Sequence, residues 1–490
     1  MRLNFFSKLS KEDKIYYLSL PLIISLFIVS EYLLFKKGFY AISADESLHT
    51  LEAYKYFTGQ SGLFSVWLPF QKGIYAAAFN FHYDLFLTPR VFSGLFGLFT
   101  MLSLIELSFQ LFGNRIVSLM TGFFGAIFLP VYLFSVLPLE EIYFFFFTIF
   151  SVTFYLKWVS KDKNIYLWLS VLTSCIGTTT RYESWLFSAA LFIMITFRII
   201  GQNRPKKTKV YLVLVIAAIL SIFPLYWIYL SHLHTGKITG FVSSVENLYK
   251  SPPLLTQIKN NVLFGFFKIN LESLNIIGLV PLYFLFKKNP IVKHSAVIFA
   301  STLLVFAAAT FILKAMPTHN HWRIAMVWSL FLLPFTSYAL YFLLTKGLNS
   351  NIYLAVFIFS FFLLIFLFAI QDISYSTRSY ITSGDVRVGR VMENILNNNN
   401  SKVYINSGKT WNYSTILITS QKPDRFVTGF RKYYNPRNST LTLDDNLLSE
   451  FKKLNIDYLV LKPYIKIADG SKVPFTVIRF VFWNVYKLSY

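Results

Sequence analysis

Ile42-Ser43-Ala44-Asp45-Glu46-Ser47-Leu48-His49-Thr50-Leu51-Glu52-Ala53-Tyr54-Lys55-Tyr56-Phe57 begins a few residues after an apolar run, 15–35, and is separated from the next, 86–112, by a mixed polar and aromatic loop. It holds Asp45, Glu46 and Glu52, three of only 23 acidic residues in 490. Read as a helix capped by Ser43, it places Asp45, His49 and Glu52 at i, i+4 and i+7 on one face, with Glu46 about 100° round. Carboxylates favour a helix N-terminus electrostatically, which accounts for one acid better than for a cluster. An acidic helix against a membrane surface reads as the catalytic edge of a membrane enzyme.

The membrane follows from composition. Hydrophobic residues make up 55% of the chain, charged residues 14%, and the mean hydropathy is +0.52. Soluble chains carry roughly 25% charge. Apolar runs near 15–35, 86–112, 116–137, 142–158, 165–180, 184–200, 210–230, 262–286, 295–313, 323–345 and 351–370 predict about eleven transmembrane helices. The run 15–35 is too long for the core of a cleaved signal and counts as the first span. The net charge of +23 reflects topology rather than nucleic acid, for no basic reader motif occurs. Lysine and arginine collect in the leader and in alternate loops (Arg115, Lys157, Arg198, Lys206, Lys287, Lys346), which predicts a cytoplasmic N-terminus. Asp45, Glu46, Glu52, Asp84, Glu140, Glu141, Glu183 and Glu246 then fall on the opposite face. The single cysteine, Cys175, excludes a disulfide framework or a zinc pattern.

After residue 370 the pattern changes to alternating helix and strand: helices at 385–396, 411–420 and 446–454, strands at 402–406 and 457–461, and strand-like runs at 474–488. The expected architecture is an all-α polytopic domain over 1–370, with an outer loop at 36–84, followed by an extracytoplasmic α/β domain over 371–490. Three glycosylation sequons, at Asn399, Asn412 and Asn438, fit an outward-facing domain.

Several further groups carry chemistry. Asp45 and Glu46 are candidate general bases. His49 either joins Asp45 and Glu52 in holding a divalent metal or lies at the surface near Tyr54. Thr318-His319-Asn320-His321-Trp322-Arg323 opens the tenth span, and its guanidinium either snorkels or clamps a phosphate. Thr179-Thr180-Arg181-Tyr182-Glu183, Pro138-Leu139-Glu140-Glu141 and Thr88-Pro89-Arg90 place opposite charges on the same face, as a phosphorylated lipid and a hydroxyl acceptor would need. Glu31 is a lone acid within the first span. No phosphate-cradling glycine loop, His-Glu-x-x-His or Gly-x-Ser-x-Gly occurs, which implies an energy source other than a bound nucleotide; a lipid-phosphate-activated donor would fit.

The order of these features resembles the GT-C superfamily of polytopic glycosyltransferases, which use polyprenyl-phosphate sugars, and is most similar to its protein mannosyltransferase and lipid A aminoarabinose transferase branch. Asp45-Glu46 matches that branch's acid pair after the first span. Pro89 to Gly97 resembles the opening of its second span, and Gly177 to Glu183 is similar to its Gly…Thr-Arg-x-Glu stretch. His319 to Arg323, followed by Pro334, resembles a His-containing outer motif of related mannosyltransferases but departs from their His-Lys-Glu-x-Arg form. A Trp-Trp-Asp-Tyr-Gly motif is absent.

The resemblance implies an inverting, mannosyltransferase-like transfer from a polyprenyl-phosphate carrier to a hydroxyl acceptor on the outer face. Asp45 would be the base and Glu46 its orienting partner. Arg323, His321, His319, Arg181 and Arg90 would meet the donor phosphate, and His49, Glu140, Glu141 and Glu183 would orient acceptor or sugar. No nucleic acid and no certain cofactor is implied. The membrane would be a plasma membrane, or the endoplasmic reticulum in a eukaryote. A lipid-linked sugar flippase or a transporter is the competing class. It would place charges within spans and break helices near mid-membrane.

Overall fold

The structure, a computed structural model, describes residues 10–238, 240, 261–313, 321–346, 381–406, 412–428, 434–435, 440–467, 475–480 and 482–488. Among them, seven helices are long and apolar enough to cross a membrane: Glu12–Lys36, Leu87–Phe112, Glu140–Lys161, Glu183–Gly201, Lys206–Thr235, Pro290–Ala308 and Ala325–Thr345. Two bent pairs, Arg115–Ile127 with Pro130–Val136 and Val262–Glu272 with Asn275–Lys288, raise the number to nine if each is one span. The chain is thus a multi-pass membrane protein.

The described residues depart from eleven straight spans in three places. The run 165–180 forms a helix of only 14 residues, Asn164–Gly177, about 21 Å at 1.5 Å per residue and short of a ~30 Å hydrocarbon core. The run 116–137 breaks at Phe128, whose backbone is extended (φ −71°, ψ 119°) ahead of Pro130. The run 262–286 turns through 104° after Glu272, where Leu274 adopts a left-handed conformation (φ 57°). The eleventh run, 351–370, lies outside the described residues.

The chain divides into two compact units. The first comprises Met1–Tyr32, Gly62–Gln71 and Ser93–Ile370. Its centre is the helix Glu140–Lys161, whose Tyr143, Phe144, Phe145, Tyr155 and Trp158 are buried. It packs against Asn164–Gly177, Glu183–Gly201, Pro290–Leu313 and His321–Lys346. Gly94 and Gly97 let the backbone of Thr88–Phe112 approach closely. A Cβ at Gly97 would lie 2.6 Å from Ser135 Cβ, and one at Gly94 would lie 3.1 Å from Glu31 Oε2. The bend after Glu272 is held by a buried polar network. Asn270 Nδ2 donates to Ser329 Oγ (2.9 Å), and Asn275 Nδ2 donates to Asn270 Oδ1 (2.7 Å) and Ser329 O (2.8 Å). Thr336 Oγ1 donates to Asn275 Oδ1 (2.6 Å). Irregular backbone at membrane depth survives only where such partners surround it.

The second unit comprises Leu33–Ser61, Lys72–Phe92 and Gln371–Tyr490. Besides the C-terminal residues it takes in two segments near the first and second spans, including the acidic helix. A five-stranded mixed sheet has the order β2 (Phe426–Val427), β1 (Lys402–Asn406), β5 (Ile456–Leu461), β8 (Asn484–Leu488), β7 (Phe475–Arg479), and a three-stranded sheet has the order β3 (Tyr434–Asn435), β4 (Thr440–Leu441), β6 (Lys466–Ile467). β1 runs parallel to β2 and β5; β8 is antiparallel to β5 and β7. Tyr404, Leu447, Phe451, Leu459 and Leu461 form its core. The helix Ser383–Asn397 begins with a capping box between Thr382 and Asp385, and Asp385 Oδ1 also accepts from Trp483 Nε1 at 2.6 Å. Asn399 is exposed, whereas Ser401 bonds Asp457 and Ser414 is buried. Asn438 lies outside the described residues.

Candidate functional site

The acidic helix spans Asp45–Phe57, and its N-cap residue is Ala44 rather than Ser43. The side chain three residues on explains the difference. Glu46 reaches back to accept from the Ile42 amide (2.8 Å) and from the Ser43 hydroxyl (2.8 Å), while Ser43 Oγ accepts from the Asp45 amide (3.2 Å). This is a reciprocal tie of capping-box kind, and it leaves Glu46 0% exposed. Asp45, next to it, is half-buried. The two acids thus differ: one fixes the helix entry, the other stands at the helix N-terminus.

His49 is buried, which corrects its reading as a surface residue. Glu52 turns to Lys72 (3.1 Å) and Lys55 (3.8 Å), and among the described residues no group of three His, Cys, Asp or Glu is placed to hold a metal ion. Lys72 is a functional candidate that the sequence reading passed over, because it stands alone in an aromatic loop outside any motif. It is buried, and it lies in the unit that holds Asp45. Arg90 is buried as well. It donates to Phe86 O (2.6 Å) and Tyr40 O (2.8 Å) and lies 3.8 Å from the centre of the Phe86 ring. It therefore clasps the start of one span to the end of another.

A second constellation belongs to the first unit. Glu141 Oε1 receives Arg181 Nη1 at 2.8 Å and Arg323 Nη2 at 2.7 Å. Arg181 also forks onto Glu183 through Nη2 (2.8 Å) and Nε (3.1 Å). Burial alone would lower the Arg181 guanidinium, but Glu183 and Glu141 hold it above its ordinary value. Glu140 completes the group; its Oε1 has no hydrogen-bond partner among the described residues. The structure thus brings together Glu140, Glu141, Arg181, Glu183 and Arg323, from the N-terminal ends of three spans and a junction between helices. His319 lies outside the described residues. His321 begins the helix His321–Lys346, with its side chain outside the description.

A third group, in the second unit, centres on Asp84, which the sequence marks only as one of the acids of the outer face. Asp84 accepts from the amides of Phe86 (2.8 Å) and Leu87 (2.9 Å), from Gln421 Nε2 (3.0 Å) and from Arg390 Nη2 (3.2 Å). Burial would raise the Asp84 carboxyl, but the Leu87 and Phe86 amides and Arg390 draw it below its ordinary value. Gln421 Oε1 accepts from the Leu85 amide (2.8 Å), and Tyr83 Oη donates to Gln421 O (3.2 Å). Burial, with Asp424 nearby, raises Tyr83 to about 12.

No family model matches the sequence, and no curated protein matches it either. Solved structures do. ArnT from Cupriavidus metallidurans bound to undecaprenyl phosphate matches with a TM-score of 0.59 at 10% identity, covering 95% of this chain and 97% of that one. The same protein in the apo state gives 0.57 at 10% identity with the same coverage. The oligosaccharyltransferase of Archaeoglobus fulgidus gives 0.49 at 11% identity, covering 89% and 68%. The expected likeness is met in fold: the chain has the fold of ArnT over nearly the full length of both. At this identity the likeness is one of fold.

Proposed function

We propose that the protein is an inverting glycosyltransferase that moves a sugar from a polyprenyl-phosphate carrier to a hydroxyl acceptor at the non-cytoplasmic face of its membrane. The observation that carries the reading is the pair Asp45 and Glu46: a half-buried carboxylate at a helix N-terminus whose entry is fixed by the fully buried carboxylate beside it. The fold shared with ArnT, whose structure holds undecaprenyl phosphate, supports the choice of donor.

In this reading Asp45 takes the acceptor O–H proton as the oxygen attacks the anomeric carbon. The bond from that carbon to the phosphate oxygen breaks through an oxocarbenium-like transition state, and its electron pair leaves with the phosphate. Developing negative charge calls for fixed cations. Lys72 and Arg90 are buried cations of the unit that carries Asp45, and the separate acid–arginine group of the other unit holds the buried Arg323 and the half-buried Arg181. His49 orients the acceptor. Glu140, Glu141 and Glu183 set the arginines.

The test is sugar transfer in proteoliposomes from a panel of labelled polyprenyl-phosphate hexoses and pentoses, comparing wild type with Asp45→Asn. Loss of an essential general base predicts a rate about 10²–10⁴-fold lower with the substrate still bound. Equal transfer by both proteins would remove Asp45 from the role. Transfer from no donor by folded wild type would overturn the transferase reading and favour a flippase.

A further inference from the structure

The back of the acidic helix rests on the C-terminal α/β domain at two points, both within the second unit. Ser47 lies two residues after Asp45, hence about 200° round the helix from it. Its hydroxyl meets the hydroxyl of Thr415, 2.9 Å away, and both residues are buried. Tyr54 lies seven residues after Ser47, on the same face and about 10 Å further along the axis. Its hydroxyl donates to Asp424 Oδ1 at 3.1 Å. Burial, with Asp424 next to it, raises the Tyr54 hydroxyl well above its ordinary range, so it stays a donor at physiological pH. Thr415 and Asp424 belong to one short stretch: the helix Tyr413–Thr419 and the turn that follows it. Gln421, between them, holds Leu85 and Asp84 through its side chain, and it does so from a left-handed backbone (φ 58°).

Two hydrogen bonds on one face, two turns apart, fix both the tilt and the rotation of a helix. A hydrophobic face alone would leave rotation looser, and this 13-residue helix carries Asp45, Glu46, His49, Glu52 and Lys55. We propose that the segment 413–424 is a platform that sets the rotation of the acidic helix, with Thr415 a positioning residue for Asp45. The C-terminal domain is then a working part of the catalytic edge rather than a cover or a separate acceptor-binding module. This inference rests on the transferase reading above for its link to catalysis. Its structural half stands apart from that reading.

The experiment uses the full-length protein in proteoliposomes and four variants: Thr415→Val, which keeps the shape and removes the hydroxyl; Thr415→Ser, which keeps the hydroxyl; Tyr54→Phe; and Thr415→Val with Tyr54→Phe. Two quantities are read: kcat and donor KM for sugar transfer, and hydrogen exchange of the amides of 45–57 against those of β1 and β5. The expected result for Thr415→Val is a kcat at least tenfold lower with donor KM within twofold. Exchange should be at least tenfold faster in 45–57 and unchanged in the two strands. Thr415→Ser should restore both, and the double variant should exceed either single one. Wild-type kcat and exchange in Thr415→Val would overturn the proposal, as would faster exchange spread equally over the sheet. If wild type transfers no sugar, the transferase reading fails by itself, and the exchange contrast still decides whether the platform fixes the helix.

Discussion

Replacing Glu141 by glutamine isolates the contribution of the acid–arginine group, because the amide keeps the shape and removes one charge. The Glu141 side chain is 2% exposed, and a single oxygen receives two guanidiniums at 2.8 and 2.7 Å. At an effective dielectric near 20, unit charges ~4 Å apart attract by about 4 kcal/mol before desolvation is counted. Breaking a buried pair from one side typically costs about 3–5 kcal/mol, since it strands the opposite charge. Arg181 keeps Glu183, while Arg323 loses a charged partner, so about 3 kcal/mol is expected for Glu141→Gln. Arg390→Gln serves as the control. It removes a pair with Asp84 in which the arginine side chain is 40% exposed, and such pairs contribute about 0–1 kcal/mol. Equilibrium unfolding in mixed micelles, with both variants measured beside wild type, reads the difference. A Glu141→Gln protein within 1 kcal/mol of wild type would refute the view that this oxygen ties the helix ends together.

Two further outcomes follow from the geometry. Gly97→Ala places a methyl 2.6 Å from Ser135 Cβ and 3.0 Å from Phe27 Cζ, so about 1–3 kcal/mol of destabilisation is expected, relieved by Ser135→Gly in the same chain; thermal unfolding of the two variants checks it, and an unchanged single variant would contradict the close approach. Acid should loosen the second unit through Asp84. Its folded value is depressed, so its contribution is present above the unfolded value of about 3.9 and is lost as pH falls through the lower folded value. Amide exchange of residues 84–90 from pH 6 down to pH 2, in wild type and Asp84→Asn, reads this. The loss should be confined to wild type and to the acid end.

The C-terminal elements were legible because they are local. The strand Lys402–Asn406 matches its expected bounds, and the helices Ser383–Asn397 and Asp445–Lys453 lie within two residues of theirs, each marked by its own period and cap. The acid pair was legible as a cluster, but its division of labour was not. Ser43 is a good capping residue by type, and only the reach of Glu46 back to Ile42 and Ser43 moves the helix start to Asp45. The bend after Glu272 carries no glycine or proline to announce it; Leu274 is held left-handed by its surroundings. The Asp84 and Gln421 contacts join positions 337 residues apart, beyond any local signal. Arg90 suits a donor phosphate by residue type, yet its Nη1 and Nη2 donate to the Phe86 and Tyr40 carbonyls.

The polar network at the 104° bend bears on the order in which the chain is made. Asn270 and Asn275 emerge early, whereas Ser329 and Thr336 follow more than fifty residues later. Synthesis proceeds from the N-terminus at about 5–20 residues per second, so Asn270 and Asn275 precede the partners that Ser329 and Thr336 supply by several seconds. The bend in 262–288 therefore lacks the Ser329 and Thr336 side of its network until the helix His321–Lys346 has been made.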